Sequence, residues 1–372
     1  MRSVPLHDVN EIQETLSRAN LDAVVVISPR NLWCLTSYVR WLRERPGNRR
    51  SACAIAYPNA EPTLVIGRFQ EEITLIRSWA RDVTTYSDYV ESPLARAAEV
   101  LQHRGLASRR IGVESRFLTV EFAEDLINGL GKEAEIVPCD DLLDTVWASK
   151  KPAEIEVMKE NLENLSKAVV AALEQSRAGE TEETVHKRIL ATIRQAGVAS
   201  AQGRVVSGER VSLSNALSGE RVLSQGDLVR IEYSCLSRTY PARVGRMGVV
   251  GQPSDAQRAT YERYIQAVQS ATAHIRPNQS GCEIFHSMRE ALTEAGLQPV
   301  GSSAGRALGI DFRERPILQA QEDFRTRPNT ILCVGLAIAE GYKVSQEVQI
   351  TTQGSFILPS PFSLEQLSVI SD

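Results

Sequence analysis

The chain has 372 residues, a formal net charge of −4, 42% hydrophobic residues and 24% charged residues. That length exceeds one ordinary core and predicts two domains. The acidic balance argues against a nucleic-acid binder, although a mean does not exclude local basic patches. The arginine-rich run at 40–50 carries Glu44 and reads as a solvated loop. Residues 1–20 are polar, with Asp8, Glu11 and Glu14, and lack the apolar core and cleavage site of a signal peptide. No apolar run approaches the ~20 residues that span a bilayer. A cytoplasmic protein with no membrane or nucleic-acid partner is therefore expected. The cysteines Cys34, Cys53, Cys139, Cys235, Cys282 and Cys333 lie far apart without a C-x-x-C pair. They read as buried free thiols, not a disulfide frame or zinc site.

The first half alternates helix and strand signals. Residues 9–19 have helical spacing, and 21–27 form a β-branched run that reads as a buried strand ended by Ser28-Pro29. Strands follow at 52–56 and 63–66 around the Pro58-Asn59 turn. Residues 94–104 read as a helix closed by Gly105, 111–113 as a strand, 119–130 as a helix and 135–137 as a strand. This alternation predicts a layered α/β domain over 1–149. A boundary falls near Ser149-Lys150-Lys151-Pro152. Beyond it, 153–176 and 182–196 read as helices. Strand signals at 205–206, 228–233 and 246–250 precede helices at 256–274 and 283–295. Strands return at 330–338 and 344–351, within a second domain over 150–372. There is no glycine-rich dinucleotide fingerprint and no P-loop, so no cofactor is expected.

The segment Gly305-Arg306-Ala307-Leu308-Gly309-Ile310-Asp311-Phe312-Arg313-Glu314-Arg315-Pro316 resembles a G-H-G-I-G-x-x-x-H-E-x-P segment. That segment belongs to the pita-bread metallopeptidases, the family of methionine aminopeptidase, prolidase, aminopeptidase P and creatinase. Gly305, Gly309, the glutamate and the proline keep their places, while both histidines are arginine. The likeness extends over nearly the whole chain. Residues 21–27 with Asn31 and Leu35-Thr36 are similar to the opening of the prolidase-like N-terminal domain. Lys150 to Ile155 resembles the interdomain K-x-x-x-E-I, and Gly226-Asp227-Leu228-Val229-Arg230-Ile231 the G-D-L-V-x-I-D strand. Arg246 and Gly251 match the end of the next strand. The resemblance implies a small α/β N-terminal domain followed by a pita-bread catalytic-type domain. It also implies a homodimer in which the partner's N-terminal domain reaches the active site. Arg40, Arg43, Arg45, Arg49 and Arg50 lie in the segment from which such a contact would come.

Metal-using members hold two ions with two aspartates, one histidine and two glutamates, donors suited to hard or borderline divalent ions. The resemblance places Glu232, Arg243, Arg306, Gly335 and Ser345 at those positions. Two fixed positive charges repel a divalent cation, so no metal is expected. The family's substrate-facing histidines correspond to Arg313 and Asn215. Metal-free creatinase depends on a histidine at the latter place, and an amide cannot exchange a proton near neutral pH. None of His7, His103, His186, His274 and His286 falls on an active-site position, and all read as structural or surface residues.

The expected pocket gathers Glu232, Arg243, Arg306, Arg313 and Glu314, with Tyr233, Tyr240, Asn215 and Ser345 nearby. Guanidinium groups bond carboxylate or phosphate through paired contacts, which points to a small anionic substrate. Glu232 or Glu314 would serve as general acid/base, with Tyr240 as a proton donor or orienting hydroxyl. The competing reading makes Glu232–Arg243 and Glu314–Arg306 internal ion pairs that fill an emptied site. Cys235 and Cys333 have no evident base and read as packing. Glu209 and Arg210 read as solvent-facing. Two functions stay open. One is a metal-independent enzyme on an amide-, amidine- or amino-acid-like substrate, acting by C–N hydrolysis or elimination. The other is a non-catalytic binding or scaffold protein.

Overall fold

The structure, a computed structural model, describes residues 9–38, 51–198 and 200–372. The arginine run at 40–50 and His7 lie outside the described residues. The chain divides into two compact units, Met1–Trp147 and Ala148–Asp372.

In the first unit, α1 (Val9–Arg18) buries Ile12 and Leu16 and leads into β1 (Ala23–Val26), whose four residues are all buried. Ser28 does more than end that strand. Its hydroxyl accepts a hydrogen bond from Asn31 N and caps α2 (Pro29–Thr36). Pro29 sits in the first turn, where a missing N–H is harmless, so the residues that end the strand also start a helix. The carboxylate of Glu114 accepts from Ile27 N at 2.6 Å and Ser28 N at 2.8 Å and fixes this corner. The remaining elements are β2 (Cys53–Ala56), β3 (Thr63–Gly67), α3 (Glu71–Arg77), β4 (Asp82–Tyr86) and α4 (Pro93–His103). They are followed by β5 (Arg110–Val113), α5 (Val120–Leu130), β6 (Glu135–Pro138) and α6 (Asp140–Trp147). The sheet runs β4-β3-β2-β1-β5-β6, with β2 antiparallel to both neighbours and the other pairs parallel. This is the layered α/β unit expected.

The second unit opens with α7 (Pro152–Glu174), where the Glu154 carboxylate accepts from Lys151 N at 2.8 Å. It continues through α8 (Glu182–Gln195), β7 (Ser200–Ser207), β8 (Leu228–Ser237), β9 (Tyr240–Val250), α9 (Asp255–Ala273) and α10 (Gly281–Glu294). Reciprocal Ser254/Gln257 and Ser280/Glu283 caps fix the starts of the last two helices. Then come β10 (Pro299–Val300), β11 (Gly305–Leu308), β12 (Glu314–Leu318), β13 (Ile331–Val334) and β14 (Ala337–Ile338). The unit ends with β15 (Gln346–Ile350), β16 (Ser355–Ile357) and β17 (Ser368–Ile370). One large sheet has the order β17-β9-β8-β7 and the other β12-β11-β13-β15-β16, while β10 and β14 form a separate antiparallel pair. One apolar core holds Tyr264, Val268, Phe285 and Met288 of α9 and α10 with Leu332, Val334 and Val348 of the second sheet.

The two sheets join where Ser345 N donates to Gly245 O at 2.9 Å. A Cβ on Gly245 would stand 2.9 Å from Ser345 N, so this approach requires glycine. The strand expected over 330–338 is broken into β13 and β14. Gly335 lies at the break, and a Cβ there would stand 1.9 Å from Val344 O. Gly309 has a related use: a Cβ would meet the Glu314 carboxylate at 2.1 Å. That carboxylate turns to Lys150, whose Nζ lies 2.6 Å from Oε2, with both side chains buried. Removing one member of a buried pair strands the other charge. Lys150→Met is therefore expected to destabilise the second unit by about 3–5 kcal/mol. The change would appear as a lower urea midpoint for this unit, and an unchanged midpoint would refute the assignment.

Candidate functional site

A cavity of about 530 Å³ opens in the second unit. It is lined by β7 through Arg204, β8 through Glu232, β9 through Arg243 and β11 through Arg306, with Arg313 and Lys343 from connecting segments. Asn215 and Tyr233 also line it. The sequence reading thus places six of its nine candidates here: Glu232, Tyr233, Arg243, Arg306, Arg313 and Asn215. Lys343 and Arg204 were not foreseen. Lys343 lies in the segment before β15, and its spacing to Ser345 gave no signal, since the two line different cavities. Arg204 is the cross-strand partner of Glu232, which only the register reveals.

Glu232 is the electrostatic centre. Its carboxylate lies 2.9 Å from Lys343 Nζ, 3.3 Å from Arg243 Nη2, 3.6 Å from Arg230 Nε and 3.7 Å from Arg204 Nε. Burial raises its pKa, but Lys343, Arg243 and Arg230 outweigh burial and bring it down to about 2. The carboxylate therefore stays ionised and is a weak proton acceptor near neutral pH. Arg230 and Arg204 also hold the loop before β8. Arg230 donates to Val211 O and Leu213 O at 2.6 and 2.7 Å, and Arg204 reaches Ala216 O at 3.4 Å.

Arg306 and Arg313 differ from these cations. Among the described residues, neither guanidinium has an ion pair or side-chain hydrogen bond. Burial lowers the Arg306 pKa, and Arg243 and Arg313 lower it further, while Cys333 and Glu232 oppose this only in part. The register puts Arg306 beside Cys333 and Cys333 beside Glu347, so the three form a row on one face of the sheet. Burial pushes the Cys333 thiol up, in keeping with a packed thiol. The Glu347 carboxyl accepts from Arg243 N at 2.7 Å through Oε1, while Oε2 is buried without a partner. Burial raises its pKa to about 8, against the smaller opposing effects of the Arg243 backbone and Arg246.

Three expected members lie elsewhere. Glu314 pairs with Lys150, not Arg306, because Gly309 leaves room for it to turn that way. The Tyr240 hydroxyl donates to Glu154 Oε1 at 2.9 Å and ties β9 to α7. Ser345 lines a separate cavity of about 250 Å³ with Arg246, Gln346 and Glu347. The expected Glu232–Arg243 pair is present. Tyr233 is buried, and its hydroxyl is bonded to His186 Nδ1 at 2.7 Å. His186 is thus structural in its contact, yet it supports a residue of the cavity wall. Arg210 is not solvent-facing as expected: its guanidinium pairs with the buried Glu182. Glu209 remains exposed and pairs with Arg221. Cys34, Cys53, Cys139, Cys235 and Cys333 are buried free thiols, and Cys282 is half-buried.

The donor set does not fit a pair of metal ions. Glu232 already has Lys343 and Arg243 against its Oε1, where an ion would need to bind. Among the described residues, no three His, Cys, Asp or Glu side chains cluster as metal donors. At Gly335, a ligating side chain would first have to displace the Val344 carbonyl.

Glu347 makes the stability of this fold depend on pH. Its ordinary value is 4.5 and its folded value about 8. Between those values the unfolded chain ionises while the folded chain keeps the proton, so stability falls as pH rises and levels off above the upper value. Glu347→Gln mimics the neutral acid. It is expected to match the parent at pH 4.5 and to melt higher at pH 9. Parallel melting curves at both pH values would contradict this.

Residues 156–352 match metallopeptidase family M24, and residues 9–146 match the creatinase/prolidase N-terminal domain. The uncharacterized peptidase YqhT of Bacillus subtilis is 25% identical over 254 residues, covering 66% of this chain and 72% of that protein. The Xaa-Pro dipeptidase of Pyrococcus furiosus is 25% identical over 228 residues, covering 59% of this chain and 66% of that protein. Among solved structures, the Xaa-Pro dipeptidase from Bacillus anthracis superposes with a TM-score of 0.84 at 18% identity, covering 97% of this chain and 98% of that one. The X-Pro aminopeptidase from Thermotoga maritima gives 0.83 at 18% identity over the whole of both chains. These likenesses establish the two-domain architecture, with a creatinase-type first domain and a pita-bread second domain. Among the described residues no helix is long and apolar enough to cross a membrane. With the larger match spanning more than half of its length, the chain belongs to metallopeptidase family M24, a family of hydrolases.

Proposed function

We propose that this chain is a metal-independent enzyme that breaks a C–N bond, by hydrolysis or elimination, in a small anionic amide-, amidine- or amino-acid-like compound. One observation carries the reading. Arg306 and Arg313, at positions where the family resemblance puts histidines, line the cavity with guanidiniums that have no anionic partner among the described residues. Arg306 would grip a substrate carboxylate through paired N–H···O bonds. Arg243 and Lys343 stand ready to stabilise negative charge developing on a carbonyl oxygen. Glu232 acts by holding those two cations in place, because an acid of pKa about 2 is a poor proton acceptor. The homodimer implied by the resemblance belongs to the same reading, and light scattering checks it.

A second reading, a non-catalytic binding protein, draws support from the same geometry. Glu232 is the one carboxylate among the described lining residues, and Glu314 and Tyr240 are bonded elsewhere. Turnover separates the two readings. Chelator-treated protein is to be assayed against N-acyl amino acids, amidines and amino-acid amides. Activity that survives chelation and drops about 100-fold or more in Arg306→Gln, with the fold intact by circular dichroism, is the expected result. Hydrolysis of a proline dipeptide stimulated by manganese or cobalt would refute the metal-free assignment. Anion binding without turnover would favour the second reading.

A further inference from the structure

Among the described lining residues the cavity wall carries five cations, Arg204, Arg243, Arg306, Arg313 and Lys343, against the single carboxylate of Glu232. Glu232 satisfies Lys343 and Arg243 directly and lies near Arg204, which also reaches loop carbonyls. That leaves two guanidiniums without an ion pair or hydrogen bond, and Glu232 acts on Arg306 only at a distance. Arg306 is half-buried on β11, and Arg313 is exposed in the bend that follows. The two are close enough for Arg313 to depress the Arg306 pKa, though burial and Arg243 weigh more. A monoanion seated on Arg306 would leave Arg313 without a counter-charge. We propose that the natural ligand of this cavity carries two negative charges, one answered by Arg306 and the other by Arg313. Two chemistries share that property: a compound with two separated carboxylates, and one with a compact phosphate group. This inference rests on the cavity being the substrate site and narrows the substrate class from anion to dianion.

The test is calorimetric titration of the full-length protein at pH 7 and constant ionic strength. The probes are succinate, monomethyl succinate and inorganic phosphate. Monomethyl succinate keeps the carbon skeleton of succinate and removes one charge. Succinate or phosphate is expected to bind at least about tenfold more tightly than monomethyl succinate. In Arg313→Gln that gap is expected to close to about twofold or less. Arg313 is exposed, so this variant keeps its fold even if Arg306→Gln does not. A preference for succinate assigns two separated groups, and a preference for phosphate assigns a compact one. Equal binding of succinate and its monomethyl ester overturns the dianion while leaving an anion site. A preference for dianions that Arg313→Gln does not change overturns the assignment to these arginines. Absence of binding by every probe overturns both the dianion and the anion cavity beneath it.

Discussion

The carboxylate of Glu232 and the cations packed around it govern the second unit's cavity. Four basic side chains reach within 3.7 Å of it, from β7, β8, β9 and the segment before β15. Three strands of one sheet and the segment before β15 are therefore tied to one negative charge. Two of those arginines also hold the carbonyls of the loop that carries Asn215. The cavity wall and the loop beside it are thus held by one electrostatic cluster. Such a cluster is rigid and ionised, which suits binding and charge stabilisation better than proton transfer.

The replaced positions divide into two groups. Arg243 has become an internal counter-ion, as the ion-pair reading expected. Arg306 and Arg313 have not, because the glutamate expected to neutralise Arg306 is engaged with Lys150. The ion-pair reading of the sequence therefore holds for Arg243 and fails for Arg306. Arg306 and Arg313 line the cavity without an ion pair among the described residues.

Much of this was legible in the chain, and the limits have a common cause. The resemblance of the Gly226–Ile231 segment identified Glu232 and, eleven residues on in the next strand, Arg243, and the Gly305–Pro316 segment identified Arg306 and Arg313. Contacts across long sequence separations were not legible. Lys150 meets Glu314 across 164 positions, and Tyr240 meets Glu154 across 86. Both pairings depend on where the start of α7 lies, which no local pattern states. At Ser28-Pro29 the strand end was read correctly, but the helix that the same two residues start was not, because strand-ending and helix-starting signals coincide there. At 330–338, β-branched residues promised an unbroken strand, but the close approach of Val344 to Gly335 breaks it.

That approach has a consequence for engineering of the site. The resemblance assigns Gly335 to a family glutamate position, and the neighbouring backbone occupies the space a side chain there would need: Val344 O would lie 1.9 Å from a Cβ. Introducing ligands one at a time would meet a steric block before it met any question of affinity. A two-ion site here would first require β13 and the segment before β15 to be respaced.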